Sequence, residues 1–181
     1  MLRNFQLNNL KVSQNLLFSL LKTNLPPLLQ LLFLSILLLI ITLPILLISI
    51  TAIKFEDGGP IFYRQLRNGI NKKLFYILKL RTMNVSAEKD GAKWYVLGDT
   101  RVTKVGKILR LFRIDELPQL LQVIKGDMSL IGPRPERPYF VNQICKDAPY
   151  FNLRHKIKGG LTGWAQVNGR DELSIDEKVE L

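Results

Sequence analysis

The residues best suited to chemistry lie in one stretch, Arg110-Leu111-Phe112-Arg113-Ile114-Asp115-Glu116-Leu117-Pro118-Gln119. Pro118 suits the first turn of a helix, where its missing N–H costs nothing. That predicts Asp115 and Glu116 at a helix N-terminus, beside unpaired N–H groups and the positive end of the dipole. A carboxylate there stays ionised, and an incoming phosphate is attracted to the same place. Adjacent carboxylates can divide two tasks: one attacks phosphorus to give an acyl-phosphate on the enzyme, the other binds a divalent metal. Magnesium is the natural metal, since it takes carboxylate and phosphate oxygens together. Arg110 and Arg113 are near enough in sequence to neutralise phosphate oxygens. A structural reading stands beside this one, because Asp-Glu before a proline is also a common helix cap.

Two further segments carry the same kind of signal. Arg134 stands between Pro133 and Pro135, which stiffen the backbone and present the guanidinium with little entropy to lose; a surface turn explains the pattern equally well. The Gly159–Gly163 loop could let backbone N–H groups approach a phosphate, or be an ordinary turn. The sole cysteine, Cys145, reads as a small packed residue and cannot form an intrachain disulfide. The sole histidine, His155, lies between Arg154 and Lys156, two cations that depress its pKa and make it a poor general base. No Cys/His spacing suggests zinc.

The elements that must position these residues fall into three parts. Residues 1–22 read as a weakly amphipathic lead-in at a membrane interface. The 31 residues Thr23–Ile53 carry no charge, more than the roughly 20 needed to cross a bilayer. Pro44 interrupts this run, removing one backbone hydrogen bond, and Thr42 is placed to satisfy a freed carbonyl. Basic residues flank both sides: Arg3, Lys11 and Lys22 before, Lys54, Arg64 and Arg67 after. The positive-inside tendency wants both flanks on the cytoplasmic face. A helix that enters, bends at Pro44 and leaves on the same face satisfies it; a simple span with a kink is the alternative.

Residues 54–181 form the water-facing domain, with 23 of the chain's 26 basic residues against all 15 acidic ones. The excess suits an anionic partner such as lipid headgroups or a nucleotide diphosphate. Nucleic acid is disfavoured, because aromatic residues are not interleaved with the basic runs as a stacking platform. Apolar β-prone runs on either side of Arg67-Asn68-Gly69-Ile70-Asn71 predict a short hairpin. Trp94 and Tyr95 are expected in a polar loop, tucked against the membrane. Thr103–Arg113 reads as an amphipathic helix with Val105, Ile108, Leu109 and Phe112 on one face. A second helix is expected over about Glu116–Ile124, ended by Gly126, and a third over Tyr139–Ile144. The fold class is therefore α+β and mainly helical: a helix–kink–helix membrane element plus a small membrane-associated domain with one hairpin.

Taken in order, these segments resemble the bacterial sugar transferases known as monotopic phosphoglycosyl transferases. The resemblance rests on the Pro-containing apolar helix, Gly59-Pro60-Ile61-Phe62-Tyr63-Arg64-Gln65, Lys79-Leu80-Arg81-Thr82-Met83, Asp99–Gly106, Asp115–Leu120, Lys125–Pro135 and Leu161–Arg170. It implies transfer of a sugar 1-phosphate from a UDP-sugar to a polyprenyl (undecaprenyl) phosphate, releasing UMP through a phosphosugar-aspartyl intermediate. It implies Asp115 as nucleophile, Glu116 supporting magnesium with Asp115, and Arg110 as an active-site arginine. Arg134, Arg81, Lys79 and Arg113 become phosphate contacts, and Pro44 the break of a re-entrant helix in the bacterial inner membrane with the domain on the cytoplasmic face. Three departures stand out. Leu43 precedes Pro44 where some members have Ser, Gly159 stands where Pro-Gly is usual, and relatives usually continue past the position of Leu181, which reads as truncation or a short member. A non-catalytic module binding anionic lipid or nucleotide is the competing function, and the oligomeric state, a homodimer included, stays open.

Overall fold

The computed structural model describes residues 27–168, Asp90 and Leu97 excepted. The interfacial lead-in expected over 1–22, the start of the expected membrane segment, Gly169, Arg170 and all that follows lie outside the described residues.

Helix α1 runs from Pro27 to Asp57, 31 residues, or about 46 Å at 1.5 Å per residue. Phe33, Ile40, Ile41 and Ile48 are exposed on it, as befits a helix whose surroundings are apolar on most sides. By length and composition it is the one described helix able to cross a membrane. Pro44 lies inside this single element, so the two helices expected on either side of a break form one. The proline leaves the Ile40 carbonyl without its usual partner, four residues back. Thr42 does not take that carbonyl: its hydroxyl donates to Leu38 at 2.7 Å and Leu39 at 3.3 Å. Ser35, Ser49 and Thr51 likewise donate to Leu31, Ile45 and Leu47. Each hydroxyl is thus satisfied within its own helix, which an apolar medium demands. The helix ends where Gly58 adopts φ +69°, the left-handed residue common after a helix C-terminus.

Strands β1 (Phe62–Asn68) and β2 (Leu74–Leu80) form the expected hairpin, antiparallel with Phe62 opposite Leu80 and Asn68 opposite Leu74. The Asn68-Gly69 pair does not make its tight turn. The positive φ values fall at Asn71 and Lys72, 51° and 61°, in a longer connection that closes with Gly69 N–H donating to the Lys73 carbonyl.

Helix α2 (Lys104–Leu111) is capped by the Thr103 hydroxyl, which accepts from Gly106 N–H. A 3-10 segment, Ile114–Gln119, follows, then α3 (Leu120–Lys125), closed by left-handed Gly126 as expected. The helix expected from Glu116 thus begins as a tighter 3-10 turn. Helix α4 covers Pro138–Asp147, and a second 3-10 segment Pro149–Lys156. The glycine-rich segment forms strand β4 (Gly160–Thr162), parallel to β3 (Ser129–Ile131), and short α5 spans Trp164–Asn168.

One apolar cluster joins α1 to the domain: Leu46 and Ile53 are buried with Leu80 and Leu109, and Val105, Ile114 and Leu117 pack against them. The first 3-10 segment is therefore wedged between α1, α2 and β2. Ile77, Val123 and Met128 form a second cluster, and Val141, Ile144 and Phe151 a third behind α4. The fold is mainly helical with small β pairs, as expected; the parallel β3–β4 pair was not legible in the sequence.

Candidate active site

Helix α2 delivers Arg110, and then the chain turns sharply. Arg113 adopts the left-handed conformation, φ 58° and ψ 20°, which costs a non-glycine residue and clusters at functional sites. The turn places Asp115 and Glu116 inside the domain, 6% and 7% exposed. They line one cavity of about 300 Å³ together with Lys79, Arg110, Arg113 and Arg134.

The two carboxylates are held differently. Lys79 Nζ donates to Glu116 Oε1 at 2.7 Å. Arg134 donates through Nη2 to Oε1 at 2.9 Å and through Nη1 to Oε2 at 3.3 Å, a fork suited to a carboxylate. Arg113 Nη1 lies 3.8 Å from Glu116 Oε1. Burial alone would raise the Glu116 carboxyl, but Lys79 and Arg134 override it and hold it well below the ordinary 4.5. Asp115 shifts the other way: burial raises it above 3.8 and the Glu116 charge adds to this, while Lys79, Arg110 and Arg134 oppose the rise. Its Oδ1 is buried with no hydrogen-bond partner. Lys79 is itself lowered, by burial first, against the pull of Glu116.

Arg110 Nε donates to Thr82 Oγ1 at 2.8 Å, and its guanidinium sits 4.7 Å from the Tyr95 ring centroid, a cation–π contact. Arg81 lines the cavity, but its guanidinium pairs with both oxygens of Asp57 and donates to the carbonyls of Pro60 and Met83. The pairing holds Asp57 down at about 2, with the Arg81 bond as the leading cause and Gly59 N–H the next. Arg81 thus ties the end of α1 to the hairpin, and a phosphate there would compete with Asp57.

Arg134 comes from the turn after β3, and glycines make that turn possible. A Cβ on Gly160 would meet Gly132 N at 2.1 Å, and one on Gly163 would meet Gly132 O at 2.2 Å. A Cβ on Gly159 would sit 2.4 Å from Pro135 Cγ, so that position requires glycine. The glycines serve close backbone packing and do not line the large cavity. Pro44 lies in α1, outside the cavity lining.

Several cavity residues were missed by sequence reasoning. Trp94 stacks on Phe140 with ring centroids 3.7 Å apart; with Tyr95 it lines the cavity. On the far wall Tyr63 Oη donates to Glu88 Oε2 at 2.8 Å and Arg137 Nη1 to Glu88 Oε1 at 2.6 Å. Of these, only Tyr63 lies in a segment that carries the resemblance. His155 is buried and lowered, by burial first and by the cations Arg154 and Lys72 only after, and it lies outside the large cavity.

Among the described residues no group of three or more His, Cys, Asp and Glu could hold a metal. A magnesium ion here would be held by Asp115 and Glu116, which line the same cavity, and would supply positive charge to a bound phosphate. The unpartnered Asp115 Oδ1 fits that role.

Comparison with known proteins places the chain in a family. The family model described as bacterial sugar transferase matches residues 28–181. A UDP-N-acetylgalactosamine-undecaprenyl-phosphate N-acetylgalactosaminephosphotransferase of Aeromonas hydrophila is 48% identical over 124 residues, 68% of this chain and 29% of that protein. An uncharacterized sugar transferase of Bacillus subtilis, EpsL, is 40% identical over 151 residues, 81% of this chain and 70% of that protein. A UDP-glucose:undecaprenyl-phosphate glucose-1-phosphate transferase of Caulobacter vibrioides is 47% identical over 126 residues, 70% of this chain and 47% of that protein. The chain thus spans less than a third of the first of these relatives and under half of the last. A family match that runs from the second described residue to the chain's end shows that this chain belongs to the bacterial sugar transferases.

Proposed function

We propose that the chain transfers a sugar 1-phosphate from a UDP-sugar to undecaprenyl phosphate and releases UMP. The observation that carries this is Asp115: a buried carboxylate with one free oxygen, in a cavity lined by Lys79, Arg110, Arg113 and Arg134. That is a nucleophile surrounded by the charges a diphosphate needs. Relatives named for UDP-glucose and UDP-N-acetylgalactosamine supply the substrate class but leave the sugar open.

In the first step an Asp115 oxygen bonds to the β-phosphorus and the bond to the bridging oxygen breaks, so UMP leaves with that oxygen. The sugar phosphate is then held on Asp115 as an acyl-phosphate. In the second step a phosphate oxygen of the polyprenyl phosphate bonds to the same phosphorus, and Asp115 departs as carboxylate. Lys79, Arg110 and Arg134 oppose the rise that burial imposes on Asp115 and neutralise the phosphate oxygens. Glu116, locked by Lys79 and Arg134, keeps those cations in place. Magnesium bound by Asp115 and Glu116 would supply further charge to the diphosphate.

The location follows from the substrate. We place α1 in the bacterial cytoplasmic membrane as a re-entrant helix bent at Pro44, with the domain on the cytoplasmic face where UDP-sugars are found. Basic residues on both flanks of α1 support this. So does the outer face of α2: Ile108, Leu111 and Phe112 are exposed beside exposed Lys104 and Lys107, a face suited to anionic lipid.

The test is UMP release from a panel including UDP-glucose and UDP-N-acetylgalactosamine, with undecaprenyl phosphate and magnesium. Asp115→Asn should lose at least about 1,000-fold, as expected when a nucleophile is removed, while still inserting into membranes. Without the acceptor, wild type should gain the mass of one sugar phosphate. A chelator should suppress release. Turnover by Asp115→Asn would overturn the assigned role; no release from any UDP-sugar would return the chain to a non-catalytic binding module.

A further inference from the structure

The Arg134 turn is held from behind at every carbonyl. The Pro133 carbonyl accepts from Gly160 N–H at 2.9 Å, and the Glu136 carbonyl from Asn68 N–H at 2.9 Å. The Pro135 carbonyl accepts from Arg67 Nη1 at 2.8 Å, and the same nitrogen meets Glu136 Oε2 at 3.1 Å. The carbonyl of Arg134 itself accepts from Arg154 Nη2 at 2.7 Å.

Arg154 differs from the other three anchors. It comes from the second 3-10 segment, twenty residues downstream of Arg134, and its side chain bonds the backbone of the residue that grips Glu116. Its guanidinium is fixed on its other side by the Phe151 ring, 4.2 Å from the centroid. Phe151 is buried in the cluster behind α4. A donor held so rigidly can fix the peptide it bonds, and the peptide sets where the Arg134 fork begins. Arg154 does not line the large cavity, and its hydrogen bond reaches the site through Arg134.

We infer that Arg154 is a positioning residue for the transfer: by holding the Arg134 carbonyl it aims the guanidinium that orders Glu116 and meets the diphosphate. The inference rests on the transferase reading for its activity readout only. Orienting a charged donor to within a fraction of an ångström is worth up to about 100-fold in rate.

The test is a double-substitution cycle on the full chain in lipid nanodiscs, with Arg154→Met, Arg134→Lys and the pair. Arg154→Met should lower UMP release about 10- to 100-fold through kcat more than through KM for the UDP-sugar. Arg154→Lys, which keeps a donor for the carbonyl, should recover most of it. In the Arg134→Lys background, Arg154→Met should cost little more, because the group it aims is already changed. Losses that multiply, or an unchanged rate in Arg154→Met, overturn the inference. A readout free of turnover separates this from the transferase reading: the Arg134 guanidinium proton signal, identified by its absence in Arg134→Lys. It should exchange faster with water in Arg154→Met, and an unchanged rate also overturns the inference. If that signal responds while no UDP-sugar is consumed, the positioning role stands and the transferase reading falls.

Discussion

Asp115 and Glu116 are neighbours in sequence and opposites in electrostatics. Both are buried, yet the Asp115 carboxyl is raised and the Glu116 carboxyl lowered. Glu116 takes the direct bonds of Lys79 and Arg134, whereas Asp115 keeps a free oxygen and feels the cations only through space. Environments that push two acids apart assign them different tasks. The helix dipole invoked from the sequence is not what separates them; the separation comes from cations on β2 and on the turn after β3. This gives a pH prediction. The nucleophile works ionised, so kcat/KM should rise with pH through the raised pKa of Asp115, and the acid limb should lie above 3.8. Lys79 lowers that pKa, so in Lys79→Met the limb should move to higher pH. A pH–rate profile on both proteins checks it, and a limb that stays or moves down would remove Lys79 from this role. Thr82 and Tyr95, which hold Arg110, were not legible beforehand, because no local pattern marks a contact across 28 residues.

Among the elements, α2 shows how close packing at one glycine divides a face that periodicity alone reads as one. Val105, Ile108, Leu109 and Phe112 were expected on one face of the helix. Leu109 is buried and Val105 packs inward, but Ile108 and Phe112 are exposed. The rotation is set by Gly106, whose missing side chain lets α2 lie directly on the Thr82 backbone: a Cβ would come 2.1 Å from the Thr82 carbonyl oxygen. Thr82 also anchors Arg110, so this one contact sets the position of an active-site cation. On an exposed helix Gly→Ala would stabilise by up to about 1 kcal/mol. Here overpacking should dominate, and Gly106→Ala should destabilise by about 1–3 kcal/mol and lower UMP release as Arg110 shifts. A thermal melt decides between the signs, and a raised melting temperature would show that the contact is not tight.

For the whole molecule, the site sits where the apolar helix meets the domain. Leu46 and Ile53 of α1 share a buried cluster with Leu80 and Leu109, and the 3-10 segment carrying Asp115 packs on the same cluster through Ile114 and Leu117. A polyprenyl phosphate, its tail in the bilayer, could then present its phosphate to Asp115 without leaving the membrane. With Cys145 replaced by Ser, single cysteines at Asn4, Val85 and Phe112 test the arrangement. In inverted membrane vesicles, an impermeant thiol reagent added outside should reach both Asn4→Cys and Val85→Cys, on either side of α1. Phe112→Cys should be shielded in anionic membranes and react in detergent. Labelling of Asn4→Cys and Val85→Cys from opposite sides would establish a simple span in place of the re-entrant helix.

Local order alone made several parts legible: the apolar helix, the hairpin runs, the stop at Gly126 and the Asp-Glu pair beside two arginines. Those follow from neighbours a few residues apart, where pattern and propensity act directly. Long-range packing settled which carboxylate is free and which is locked, that Arg81 serves Asp57, that the glycine-rich stretch is a strand packed on Gly132, and that Arg154 stands behind Arg134. Each of those is a contact between segments about 20 or more residues apart, settled by which surfaces pack closely enough to exclude water. Burial and the cations enclosed with it then set the direction in which each carboxylate shifts.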